Sequence, residues 1–75
     1  MYTLQEIEVS KIIVGDRIRK DLGNITKLAQ TIDLVGLLQP ITITKKYQLV
    51  FGQRRLEAVK ELGWKTISAL ILEDV

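Results

Sequence analysis

The sequence predicts a small α+β domain in which two helices pack on a mixed sheet, with the elements in the order β-α-β-β-α-β. Two segments show the helical spacing of apolar residues and each ends at a glycine, and β-rich or apolar runs lie before, between and after them. Seventy-five residues are enough for one domain, so we take residues 1–75 as a single unit.

The first half of the chain is predicted to form a strand and a helix. Apolar and polar residues alternate over residues 7–9, and the apolar run at residues 12–14 extends or follows that strand. The helix is predicted over residues 25–35, with Asn24 as its N-cap and Gly36 as a left-handed C-terminal cap. Its predicted apolar face consists of Ile25, Leu28, Ala29, Ile32 and Val35.

The middle of the chain is predicted to form a hairpin. Pro40 biases Gln39 toward an extended conformation, and the β-rich residues 41–44 follow as a strand. Lys45-Lys46 separates this strand from another over residues 47–51, although the usual Asn-Gly or Asp-Gly turn is missing. Two lysines at a hairpin tip could meet nucleic acid, but we interpret them as a solvated turn.

The last third is predicted to contain a second helix over residues 53–62 and a final strand over residues 66–72. Gly63 ends the helix as a capping glycine. Trp64 follows it, where a hydrophobic contact back onto the helix belongs to the cap. We therefore interpret Trp64 as structural and not as a base-stacking platform.

The composition narrows the chemistry. The chain has no cysteine and no histidine, which excludes thiolate catalysis and removes the commonest general base and transition-metal ligand. A net charge of +2, spread along the chain, is a weak indication of nucleic-acid binding. The apolar runs are too short for a bilayer or a signal peptide, so we expect a cytoplasmic protein without membrane contact. Because so short a chain has a thin core, we also expect a homodimer or a neighbouring domain.

The start of the second predicted helix is the candidate site. It carries Gln53, Arg54 and Arg55 directly after Gly52, although the first turn of a helix favours acidic residues. A phosphate stabilises such a concentration of positive charge, and Gly52 would let the backbone approach it closely. The residues alone leave a structural alternative open, in which Arg54 pairs with Glu57 and Arg55 is solvated.

The same stretch resembles the ParB-family pattern Gly-Glu-Arg-Arg-x-x-Ala, and residues 28–32, 36–41 and 62–63 resemble the family's other boxes in the same order. The resemblance covers nearly the whole chain. It implies a ParB/sulfiredoxin-like fold and a nucleoside triphosphate ligand, typically CTP, with or without Mg²⁺. It also implies that one segment lies against the base, namely Gly36, Leu37 and Gln39. The triphosphate is then held by Gly52, Gln53, Arg54 and Arg55.

Three departures limit what the resemblance implies. Gln53 stands where the family has Glu, so we expect binding with at most weak nucleoside triphosphatase activity. Thr31 replaces a serine and keeps the hydroxyl. The family's second phosphate motif and its helix-turn-helix are not among these residues, so DNA contact is expected only through further segments.

A basic loop carries an arginine, Arg17 or Arg19, that the resemblance places near the nucleotide.

Three functions follow. The leading hypothesis is a CTP-like switch module of a DNA-associated, ParB-like partition protein. The second is a small phosphotransfer enzyme that uses ATP or ADP, with Glu6, Glu8 or Asp16 activating a hydroxyl group. The third is a partner-docking module that has lost the ligand, in which Arg54 and Arg55 contact an acidic surface. The related sulfiredoxin activity needs a reactive cysteine, which the composition excludes.

Overall fold

A computed structural model describes residues 2–15, 23–36 and 39–73 of the chain. Its elements are β1 (Tyr2–Glu8), α1 (Ile25–Val35), β2 (Ile41–Thr44), β3 (Leu49–Phe51), α2 (Gln53–Glu61) and β4 (Thr66–Leu72). The predicted α+β class and the order β-α-β-β-α-β are confirmed. Neither helix in these ranges combines the length and the apolarity needed to cross a membrane.

The four strands form one mixed sheet in the order β1-β4-β2-β3. Strand β4 lies antiparallel to β1 and parallel to β2, and β3 lies antiparallel to β2. Helix α2 packs on β2, and α1 packs against α2. The buried side chains of the two helices and of the strands form one cluster, so the core is a layer of aliphatic side chains between helices and strands. Its fully buried members include Ile41, Ile43, Leu56, Val59 and Ala69.

Strand β1 differs from the prediction. It begins at Tyr2 and ends at Glu8, while Val9 belongs to a short 3₁₀ helix, Val9–Lys11. Its apolar side chains do not share one face, because Leu4 pairs with Leu70 and Ile7 with Ile67 at positions of opposite parity. Pairing along the whole of β4, and not amphipathic alternation, therefore defines this strand.

The segment after β1 crosses to the other edge of the sheet. Ile13 forms a parallel bridge with Gln48: its N–H donates to the Tyr47 carbonyl at 2.7 Å and its carbonyl accepts from Leu49 N at 2.9 Å. Ile12 beside it is buried in the core. The predicted apolar run at residues 12–14 thus follows β1 as a separate contact with β3 and does not extend it.

The hairpin between β2 and β3 has a three-residue turn of Lys45, Lys46 and Tyr47. Thr44 N donates to the Gln48 carbonyl, and Tyr47 N donates to the Thr44 carbonyl, both at 2.9 Å. Tyr47 has a positive φ of 65°, as the third residue of such a turn requires. The predicted strand start at Tyr47 is therefore wrong, and the absent Asn-Gly signal reflects the longer turn.

The ends of the helices mostly follow the predicted caps. Asn24 Oδ1 accepts from Lys27 N at 2.9 Å, which confirms the N-cap of α1. At the end of α2, Gly63 N donates to Lys60 O at 3.0 Å and Trp64 N to Val59 O at 3.2 Å. This pair of bonds is a Schellman motif, and Trp64 packs against the core as predicted.

The end of α1 differs from the prediction at two residues, Gly36 and Val35. Gly36 has a positive φ of 85°, but its ψ of 174° lies outside the left-handed helical region. Its N–H still donates to Ile32 O at 2.7 Å, so the helical bonding ends there and the backbone leaves in an extended direction. Val35, predicted on the apolar face, is 53% exposed. The buried face of α1 therefore ends at Ile32.

Candidate nucleotide-binding site

The candidate site begins where β3 turns into α2 at Gly52. Gly52 has φ 100° and ψ 28°, a left-handed conformation that favours glycine. A Cβ atom added there would lie 2.7 Å from Ile41 Cγ2 and 3.2 Å from Ile41 Cα. The close approach that requires glycine in this structure is therefore to Ile41 of β2. The approach of the backbone at Gly52 to a phosphate stays a prediction.

The first turn of α2 carries basic and amide side chains only. It contains no acidic residue, and Gly52 offers no side chain to cap it. The first intrahelical bond runs from Leu56 N to Gly52 O at 2.9 Å, so the N–H groups of Gln53, Arg54 and Arg55 lie at the positive end of the helix dipole. Two guanidinium groups at that end create the positive potential that an anion stabilises.

Arg55 connects this turn to Gln39, which lies two residues before the start of β2. Its Nη2 donates a hydrogen bond to Gln39 Oε1 at 2.5 Å, across sixteen positions of sequence. Arg55 is half-buried and Gln39 is exposed. The structure thus brings together one residue from each of the two segments predicted to contact a nucleotide.

Arg54 extends toward the start of α1. A Cβ atom added at Gly23 would lie 3.8 Å from Arg54 Nη2. Gly23 directly precedes the Asn24 cap, so the guanidinium group lies beside the chain that enters α1. Arg17, Arg19 and Leu37, which the resemblance assigns to the same site, lie outside the described residues.

The turn borders an open cleft of about 1110 Å³, which is large enough for a nucleotide. All four residues from Gly52 to Arg55 line it, whereas Gly36 and Gln39 are not among its described lining residues. Several other residues line the cleft that were not predicted as site residues, and apart from Leu28, which lies in one of the family's boxes, they belong to no motif singled out above. They include Val14, Gly23, Leu28, Thr44, Gln48 and Leu49. The bridge between Ile13 and Gln48 brings the first segment and the hairpin to this cleft.

The acidic residues near α2 form other contacts. Glu57 Oε2 lies 3.4 Å from Lys60 Nζ, an i, i+3 pair on the helix surface. Glu61 Oε1 accepts from Thr26 Oγ1 at 3.0 Å and links the two helices.

Glu6, one candidate acid of the phosphotransfer hypothesis, accepts hydrogen bonds from Thr66 and Ser68 in the sheet. Its carboxylate is thus a cross-strand acceptor on β1, an edge strand of the sheet.

Sequence comparison identifies close relatives. The profile of the ParB N-terminal domain family matches residues 1–74. The nucleoid occlusion protein of Halalkalibacterium halodurans is 48% identical over 56 residues, which are 71% of this chain and 20% of that protein. That of Geobacillus sp. is 37% identical over 75 residues, covering 91% of this chain and 27% of that protein. The chain therefore spans about a quarter or less of these curated relatives.

Solved structures share the fold. ParB from Caulobacter crescentus, complexed with CTP-γ-S, superposes with a TM-score of 0.81 at 26% identity, covering 96% of this chain and 46% of that one. Sulfiredoxin from Arabidopsis thaliana superposes with a TM-score of 0.82 at 26% identity, covering 95% of this chain and 85% of that one. The family profile, the relatives and the shared fold agree, and the chain belongs to the ParB N-terminal domain family.

Proposed function

We propose that this chain is the nucleotide-binding switch module of a DNA-associated, ParB-like protein and that its ligand is a CTP-like nucleoside triphosphate. The observation that carries the proposal is the hydrogen bond from Arg55 to Gln39, since it joins the turn assigned to the phosphates with the segment assigned to the base. The likeness to a ParB complexed with CTP-γ-S supports the choice of nucleotide.

In this proposal the turn at Gly52 binds the phosphates through the backbone amides at the start of α2 and through the positive charge of its arginine side chains. The amides of Gln53 and Arg54 point along the helix dipole, and the guanidinium groups of Arg54 and Arg55 neutralise the triphosphate. Gln53 has an amide in place of a carboxylate, so Mg²⁺ would be held chiefly by phosphate oxygens and hydrolysis would be slow. The base lies toward Gly36, Leu37 and Gln39, with Arg17 or Arg19 near the nucleotide.

The proposal also concerns the longer protein. The curated relatives are nucleoid occlusion proteins, which favours a cytoplasmic protein that associates with DNA through segments other than this one. Leu4 and Phe51 are 61% and 69% exposed, and the register places both on the sheet face that the helices leave open. A homodimer partner or a neighbouring domain that covers them would stabilise so small a core.

Thermal unfolding with CTP, ATP, GTP and UTP, each with and without Mg²⁺, tests the proposal. A ligand at ten times its Kd stabilises the folded state by about 1.4 kcal/mol, because it binds only that state. For a domain of this size, each kcal/mol raises Tm by roughly 4–8 °C. We expect a shift of that order for CTP and a smaller one for the other nucleotides.

Paired variants locate the effect. The double variant Arg54→Ala, Arg55→Ala should lose the CTP-dependent shift. The control Lys11→Ala, Lys65→Ala removes the same charge from two exposed lysines that do not line the cleft, and it should keep the shift. No shift with any nucleotide at millimolar concentration would refute nucleotide binding by this chain and favour a docking module.

A further inference from the structure

Two contacts connect the segment that contains Gln39 with the turn at residues 52–55. The first is a packing contact of Ile41 with Gly52. Gln39 directly precedes Pro40 and Ile41 at the start of β2, and Ile41 is fully buried against Gly52. The second connection is the 2.5 Å hydrogen bond from Arg55 Nη2 to Gln39 Oε1. Because Pro40 restricts its own φ and the backbone of the residue before it, the approach of Gln39 to Arg55 is built into the start of β2.

The bond uses a donor that a phosphate needs. Arg55 has N–H donors in a planar fork and no acceptor, so its binding partners are acceptors only. The amide oxygen of Gln39 is a neutral acceptor. A phosphate group is charged, which makes its hydrogen bonds roughly twice as strong as neutral ones, and two of its oxygens can accept the two parallel N–H groups of the guanidinium fork. A phosphate that binds the edge of the guanidinium group that includes Nη2 therefore competes with Gln39 for that donor, and its charge favours the phosphate.

We propose that Gln39 is a positioning residue that holds Arg55 in the ligand-free protein and gives it up to phosphate when the nucleotide binds. The inference rests on the proposed nucleotide site and adds a coupling between its two halves. Once released, the Gln39 amide has both a donor and an acceptor to offer, which suits the edge of a nucleobase. Phosphate binding and the availability of Gln39 then change together.

Substitutions of opposite effect test the exchange, with inorganic tripolyphosphate as the probe and calorimetric titration as the measurement. Gln39→Ala removes the competitor, so the affinity for tripolyphosphate should rise about three- to tenfold, the equivalent of one net hydrogen bond. Gln39→Glu replaces the amide with a carboxylate that pairs with Arg55 and repels phosphate, so the affinity should fall about tenfold or more. The control Gln5→Ala changes an exposed glutamine on β1, which forms the edge of the sheet opposite to β3. It should leave the affinity for tripolyphosphate unchanged.

The directions of these changes separate the outcomes. If Gln39→Ala leaves the affinity at the Gln5→Ala value or lowers it, while the wild-type protein binds tripolyphosphate, the exchange is wrong and the nucleotide site stands. If the wild-type protein binds neither tripolyphosphate nor any nucleotide, the proposed function fails and the exchange fails with it. Melting temperatures of the free variants show whether a change arises from stability, since a merely structural role would not give opposite shifts in affinity.

Discussion

Gly52 lies directly against Ile41, so that a Cβ atom at Gly52 would come within 2.7 Å of Ile41 Cγ2 and 3.2 Å of its Cα. Ile41 is fully buried in the central strand β2 and has no room to move away. The turn that places Arg54 and Arg55 at the cleft is thus fixed by packing against the core. Its geometry is expected to exist before any ligand binds.

The first prediction concerns this contact. Gly52→Ala should lower the free energy of unfolding by about 2–5 kcal/mol, because the left-handed backbone costs a side chain about 1–2 kcal/mol and overpacking against Ile41 adds roughly 1–3 kcal/mol. Urea denaturation measures the loss. Any phosphate affinity should fall as well, since the turn must shift to relieve the clash.

Two other glycines separate these costs. Gly63 has a positive φ of 77° but no atom near its Cβ position, so Gly63→Ala should show only the backbone cost of about 1–2 kcal/mol. Gly15 has neither feature, and Gly15→Ala should change stability by less than about 1 kcal/mol. If Gly52→Ala and Gly63→Ala lose equal amounts of stability, the contact with Ile41 adds no cost beyond that of the left-handed backbone.

The second prediction concerns Tyr47, which has a positive φ of 65° in the hairpin turn. Tyr47→Gly and Tyr47→Ala both remove the ring, yet glycine tolerates this backbone and alanine does not. The glycine variant should therefore be more stable by about 1–2 kcal/mol in urea denaturation. At Lys46, where φ is not positive, the order should reverse by about 0.5–1 kcal/mol, since glycine there only adds chain entropy.

Local signals predicted some elements better than others. Helix α1 and its Asn24 cap follow from spacing and side-chain chemistry that act within a few residues, as does the Schellman motif at Gly63. Strand β1 was placed too late because its pairing with β4 joins residues about sixty to seventy positions apart. The conformation of Tyr47 was missed because residues other than glycine and asparagine rarely adopt it.

In the candidate site too, features set by local sequence were predicted and features set by tertiary contacts were not. Arg54 and Arg55 were visible as a local anomaly at a helix start, and the family resemblance added Gln39. The hydrogen bond between Gln39 and Arg55 could not be derived from sequence, because it depends on the packing of β2 beside the start of α2. Gly23 and Gln48 carry no motif and reach the cleft only through tertiary contacts.

The third prediction tests the N-cap of α1. Asn24→Ala should reduce the free energy of unfolding by about 0.5–2 kcal/mol, because the Lys27 N–H loses the side-chain oxygen that it donates to. Asn24→Asp keeps an acceptor and adds favourable charge at the helix start, so it should be at least as stable as the wild type. Denaturation midpoints provide the comparison. An Asn24→Ala variant as stable as Asn24→Asp would mean that the cap contributes nothing.

The last prediction concerns Gln53, which lies on the first turn of α2 and lines the cleft. Gln53→Glu brings a carboxylate to the place proposed for the phosphates, so without divalent cation the affinity for CTP should fall about tenfold through charge repulsion. Adding Mg²⁺ should recover most of that loss, since a carboxylate and phosphate oxygens together form a suitable ligand set for the ion. Titration calorimetry in chelator and in Mg²⁺ measures both values. Arg55→Ala is the control, because its loss of affinity should persist when Mg²⁺ is added. A Gln53→Glu variant that binds CTP equally well in both buffers would place the triphosphate away from this residue.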